Sequence, residues 1–259
     1  MSSQRTSLWH MVDPAAYDSV RPRYPRTLLD LCADVLGITS STRLLEVGAG
    51  TGIATREFLE WGCEIDALEP DARFAHYLGA HIPSSRLSIH TCDLADWCTA
   101  TPAHHAIAAS SWHWIEKERS CAALENAVLP GGLLAVLEYH HCAGGDMEAF
   151  TKIHDMDPQH RSPRIRSAAD VEGTIRAQWM PHSPVLPPTT VEVAIPYTAA
   201  SYLALIRTYP DILGLSPPEY EQVCSAASTI IDALPDRTII KNYLFSLTII
   251  RITSTGSRQ

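Results

Sequence analysis

The stretch Leu44-Leu45-Glu46-Val47-Gly48-Ala49-Gly50-Thr51-Gly52 decides the fold. An apolar run of β type ends in an acid, and three glycines follow at alternate positions. Glycine has no Cβ, so the chain can turn there with positive φ, and a ligand can lie directly on the backbone. A strand that feeds a glycine-rich turn and then a helix is how α/β proteins cradle a nucleotide-like ligand. Working outward from Arg43–Val47, the same rhythm recurs. Segments 63–68, 87–91, 106–109 and 133–138 read as strands. Segments 53–61, 72–78 and 117–128 read as helices between them. Strands alternating with short helices imply a parallel, doubly wound sheet.

Ahead of this core, apolar Leu28, Leu29, Leu31, Cys32 and Val35 predict a helix over Arg26–Leu36 that stops at Gly37. Residues 1–24 read as a polar arm closed by Arg21-Pro22-Arg23-Tyr24-Pro25, whose prolines bar a regular helix at that point. Beyond Glu138 the regular rhythm fails. Helices are expected near 147–155, 168–179, 199–208 and 218–234, with strands at 191–196 and 241–252. The expected division is an arm or lid at 1–25, a cofactor-binding core at 26–141, a substrate cap with one strand at 142–236, and a final strand and tail at 237–259. These parts read as a single domain overall.

Composition narrows the function classes. The 259 residues are 46% hydrophobic and 19% charged, enough for one α/β core with an elaboration. A net charge of −9 and a pI near 5.7 argue against nucleic acid as the main partner, since such proteins carry a basic face. A small anion needs only a few local arginines. The seven cysteines are scattered, odd in number and without a CxxC pair, which disfavours a disulfide framework or structural zinc. The first residues lack a signal-peptide core, and no run approaches the roughly 18–20 apolar residues needed to cross a membrane. A cytoplasmic protein, monomer or homodimer, is expected.

The glycine loop has companions. Glu69 follows the second strand, and an acid there can accept both hydroxyls of a ribose. Asp93 follows the third strand, where it can either accept from an exocyclic amine of adenine or cap a helix. Ser110-Ser111-Trp112-His113-Trp114 follows the fourth strand, at the end of the sheet where ligands of open α/β folds lie. Ile53 stands where a dinucleotide G-x-G-x-x-G motif would have its last glycine. That spacing points away from a nicotinamide cofactor and toward S-adenosylmethionine.

With these residues in view, the chain resembles the class I, S-adenosylmethionine-dependent methyltransferases. The resemblance covers about residues 17–138 and rests on LLEVGAGTG (44–52), LEP (68–70), CDL (92–94), SSWHWIE (110–116) and LPGGLLAVLEY (129–139). Tyr17 with RPRYP (21–25) is similar to the Y-x-x-x-R-P-x-Y-P arm of a small-molecule subgroup. The resemblance implies a seven-stranded Rossmann-like sheet whose last strand is antiparallel. It implies that Glu46, Gly48, Gly50 and Gly52 surround the methionine part of S-adenosyl-L-methionine, that Glu69 holds the ribose, and that Asp93 and Leu94 hold the adenine. Pro70 and Ser110, in the same motifs, join the cofactor-binding set. Tyr17 and Arg21 would close over the methionine end.

Methyl transfer from a sulfonium needs mainly orientation, which can be worth ~7–11 kcal/mol. A base is required when the nucleophile enters protonated, as an alcohol, phenol or carbon acid does. The candidates are His113, Glu138, His140 and His141, with His113, Glu138 and His141 taken as the catalytic set. A metal is disfavoured, because adjacent histidines on a strand point to opposite faces. His160, Arg161, Arg164, Arg166 and Arg176 could hold a carboxylate or phosphate, including an isoprenoid diphosphate. The reading is therefore O- or C-methylation of a small metabolite. The alternative is a methyltransferase-fold enzyme that catalyses a non-methylating cyclisation or rearrangement.

Overall fold

The structure, a computed structural model, describes residues 9–115, 117–154 and 166–252. Helix α1 is Pro14–Val20, followed by α2 (Arg26–Leu36), β1 (Arg43–Val47), α3 (Thr55–Leu59), β2 (Glu64–Leu68), α4 (Ala72–His81), β3 (Leu87–His90) and β4 (His105–Ala109). Then come α5 (Lys117–Ala127), β5 (Leu133–His141), α6 (Met147–His154), α7 (Ala168–Trp179) and β6 (Thr189–Thr198). The last elements are α8 (Ala199–Ile206), α9 (Pro210–Leu213), α10 (Pro217–Asp232) and β7 (Thr238–Arg251). Among the described residues, no helix is long and apolar enough to cross a membrane.

The strands form one seven-stranded sheet in the order β3-β2-β1-β4-β5-β7-β6, with the last strand antiparallel. This is the sheet expected from the sequence. β1 pairs in parallel with β2 on one side and β4 on the other, so Glu46 lies opposite both Ala67 and Ile107. The chain order reverses between β1 and β4, which opens a crevice at their carboxyl ends.

Local signals explain most elements. Leu28, Leu29, Cys32, Ala33 and Leu36 bury one face of α2, and Gly37 at φ 62 ends it while Ile38 N–H returns to Ala33 O. In α10, Ser216 and Glu219 form a reciprocal capping box, with Pro217 at the first position. The arm expected at 1–24 contains a helix. Asp13 accepts from Ala16 N–H and Pro14 occupies the first turn of α1, where its missing N–H costs nothing. Strands β5 and β7 are longer than expected, by three residues each at the polar ends His141 and Thr238.

The described residues form two compact units. Among the described residues, the sheet unit is drawn from 23–115, 117–139, 172–191 and 245–252. The second unit is drawn from 9–22, 140–154, 166–171 and 192–244. In the second unit α8 packs against α1 and α10, and α10 also packs against α6.

Candidate functional site

Within the sheet unit the site grows from the end of β1. Four of its five residues are buried, and Glu46 among them is only 1% exposed. Its Oε2 accepts from Thr55 Oγ1 at 2.6 Å, whereas Oε1 is enclosed with no hydrogen-bond partner among the described residues. Burial pushes the Glu46 carboxyl up to about 8, against the pull of the Thr55 hydrogen bond, and the Glu69 charge adds to the rise. Burial thus favours the neutral form of this acid at the mouth of the glycine loop, and one of its oxygens meets no partner among the described residues.

The loop that follows is tied down on one side. Gly48 and Ala49 both donate their N–H to Leu68 O, at 2.8 and 2.9 Å. Gly48 has φ 70, and a Cβ there would stand 2.6 Å from Ser111 Cβ. Gly50 has φ 59, yet a Cβ would meet nothing within 4 Å. Gly48 is required by the close approach of the β4 loop. Gly50 instead has open space above its backbone, as a floor for a ligand would have.

Glu69 connects that floor to β2. Its Oε2 accepts from Gly50 N–H at 2.8 Å, and its Oε1 from Asp71 N–H at 2.9 Å. Burial raises the Glu69 carboxyl, the two amide hydrogen bonds lower it, and the Asp71 and Asp93 charges raise it again. A carboxylate offers about four acceptor directions, so two remain for a diol. Pro70 follows and is exposed. Asp93 is exposed at the start of the short turn Leu94–Asp96, and its side chain makes no capping bond, while Leu94 is buried.

At the end of β4, Ser110 adopts φ 54, a left-handed conformation that costs a non-glycine residue free energy. Its N–H donates to Leu137 O at 2.8 Å, and its Oγ shares a 2.6 Å hydrogen bond with Tyr24 Oη. Tyr24 is buried edge-on to Phe245. Ser111 Oγ donates to Val47 O and so pins this loop to β1. Trp112 is buried, whereas Trp114 is 43% exposed beside His113.

His113 and Glu138 come together. His113 Nδ1 lies 3.9 Å from Glu138 Oε1, within ion-pair range and beyond hydrogen-bond length. Glu138 is buried on β5, and His113 is 39% exposed on its side chain. The sheet unit therefore gathers Glu46, the glycines, Glu69, Ser110, His113 and Glu138 at the carboxyl ends of its strands.

Tyr17, Arg21, His140 and His141 belong to the second unit. Arg21 donates from Nε to Thr208 Oγ1 at 3.0 Å and from Nη2 to Thr208 O at 2.8 Å. Its guanidinium carbon lies 4.6 Å from the Tyr17 ring centre and 4.8 Å from that of Tyr209. His141 faces Tyr243 at 5.0 Å and Tyr209 at 6.2 Å. Burial, with the Arg166 charge, holds His140 below the usual histidine range. Among the basic residues after Ala143, His160, Arg161 and Arg164 lie outside the described residues, as does Glu116. Arg176 pairs with Glu172 at 3.4 Å on an exposed helix face.

Tyr24 and Thr55 are structural partners of the site that motif reading passes over. Tyr24 had a signal, since it stands in the RPRYP stretch. Thr55 had none beyond its place after the loop.

No protein-family model matches the chain. An uncharacterized methyltransferase of Mycobacterium tuberculosis is 27% identical over 125 residues, 47% of this chain and 48% of the relative. The match thus spans about half the length of the curated relatives. The solved structure of a proposed type II methyltransferase from Anaeromyxobacter dehalogenans superposes with a TM-score of 0.65 at 18% identity, over 90% of this chain and 98% of that one. A SAM-dependent methyltransferase from Thiobacillus denitrificans, solved with S-adenosyl-L-homocysteine, gives 0.50 at 14% identity, over 90% and 95%. The chain has the Rossmann-like fold of these methyltransferases.

Proposed function

We propose that the chain is an S-adenosylmethionine-dependent methyltransferase of a small, anionic metabolite, acting on oxygen or carbon as a cytoplasmic monomer or homodimer. The observation that carries this reading is the pairing of Gly50 with Glu69. An open, left-handed glycine presents bare backbone, and the acid that holds its amide keeps two acceptor directions for a ribose diol. Asp93, with its carboxylate uncommitted to a cap, suits the adenine amine, with Leu94 and Pro70 beside it. The unpartnered oxygen of Glu46 suits the amino group of the methionine part. Ser110 would complete the wall, and Tyr17 and Arg21 of the arm would serve the carboxylate end.

The donor supplies an activated methyl on a sulfonium; its C–S bond breaks as the acceptor's bond to the methyl carbon forms, and the electron pair stays on sulfur. The protein's part is to hold the acceptor in line and to take any proton it carries. His113 is the reading's base, with Glu138 stabilising the imidazolium that proton uptake produces. His141 is a further candidate on the second unit.

Calorimetry with S-adenosylhomocysteine tests the reading directly. The protein should bind it, and Glu69→Ala should bind it about tenfold or more weakly, since charge-assisted hydrogen bonds contribute about 1.5–3 kcal/mol. Mass spectrometry should then find one added methyl on the acceptor, only when S-adenosylmethionine is present. Absence of binding by the wild-type protein would overturn the assignment.

A further inference from the structure

A cation sits in the second unit where the strand's own alternation calls for an apolar side chain. On β7, Ile239, Lys241 and Tyr243 share one buried face, and Lys241 is 6% exposed. Its Nζ donates to Tyr209 Oη at 3.0 Å. Three rings surround the ammonium, with centres at 5.2 Å for Tyr209, 5.3 Å for Tyr243 and 5.7 Å for Phe150. Among the described residues Lys241 has no carboxylate partner. Burial and the Arg21 guanidinium both hold its amine well below the usual lysine range, the direction expected of an enclosed ammonium that lacks a counter-ion.

A second, independent feature lies in the same aromatic cluster. Tyr202 on α8 is fully buried, and its hydroxyl has no hydrogen-bond partner among the described residues. Its ring packs 5.8 Å from Phe150 and 6.4 Å from Tyr197, and Tyr197 Oη meets Tyr243 Oη at 3.3 Å. A buried phenol without an acceptor and a buried ammonium with spare donors are both costly when left alone. Both lack the same thing, an anionic oxygen.

We infer that Lys241 and Tyr202 form a receptor for the carboxylate group of a small molecule. The apolar rings around Lys241 make a doubly charged phosphate costlier to enclose than a singly charged organic anion, which favours a carboxylate. The rings of Phe150, Tyr209 and Tyr243 give the body of such a molecule apolar surface to lie on. The anion site stands on these residues and does not depend on the methyltransferase reading.

Thermal melts with sodium benzoate, against sodium chloride at equal ionic strength, test it on the full chain. Benzoate at tenfold over its Kd should raise the wild-type Tm by about 3 to 6 °C. Lys241→Met, of similar volume and neutral, should lose that shift and keep the shift given by S-adenosylhomocysteine. Tyr202→Phe should weaken benzoate severalfold, and it decides the matter if Lys241→Met does not fold. No benzoate shift in the wild type, an equal shift in the variants, or a shift with inorganic phosphate alone would overturn the carboxylate assignment. Failure of S-adenosylhomocysteine to bind, with the benzoate shift intact, would overturn only the methyltransferase reading.

Discussion

Glu46 shows how one buried residue can couple a binding site to stability. The folded chain raises its carboxyl to about 8, mainly by burial, while the unfolded chain leaves it near the ordinary value of about 4.3. Between those values the folded state holds a proton that the unfolded state has released, so stability falls as pH rises across that window. Below it both states are protonated and the full contribution is present; above about 8 it is lost. Glu46→Gln keeps the shape and the neutral form at every pH. Urea melts without ligand should therefore show the wild type losing on the order of 5 kcal/mol relative to this variant between pH 4 and pH 9. Parallel curves for the two proteins would mean that Glu46 is ionised in the fold.

The glycine loop between β1 and α3 divides its work among its residues. Gly48 makes room for Ser111, since a Cβ would come within 2.6 Å of the Ser111 Cβ. Gly50 makes room for nothing in the protein itself. Gly50→Ala should therefore lower stability by only the ~1 kcal/mol of a left-handed alanine, yet reduce S-adenosylhomocysteine affinity at least tenfold. Gly48→Ala should lower stability by roughly 2–3 kcal/mol, because it adds an internal clash to the same backbone term. Equal stability losses in the two variants would contradict this division. The loop and the strand before it were legible because glycine spacing and apolar run length are local signals. Helix α1 lies inside the stretch read as a polar arm, and its Pro14 sits at the one helical turn that tolerates proline. The Tyr24–Ser110 hydrogen bond joins residues 86 apart, and the Lys241–Tyr209 bond residues 32 apart. No periodicity reports such contacts, since only the folded sheet and helices bring them together.

Over the whole molecule, the two compact units share three strands. β5, β6 and β7 each pass from one unit into the other, so melting either unit breaks strands that the other also uses. The seven cysteines report on this, since all are free. Cys98 and Cys121 are exposed and should react with a thiol reagent within the native state. Cys32 and Cys63, in the sheet unit, and Cys142, in the second unit, are buried, and burial raises all three thiols. They should label only when the chain opens. Shared strands make opening a joint event, so Cys32 and Cys142 should become reactive at the same urea concentration, read by mass spectrometry of labelled peptides. Labelling of Cys142 at clearly lower urea than Cys32 would instead show that the second unit opens while the sheet stays folded. The carboxylate receptor around Lys241 would then unfold independently of the cofactor floor at Gly50.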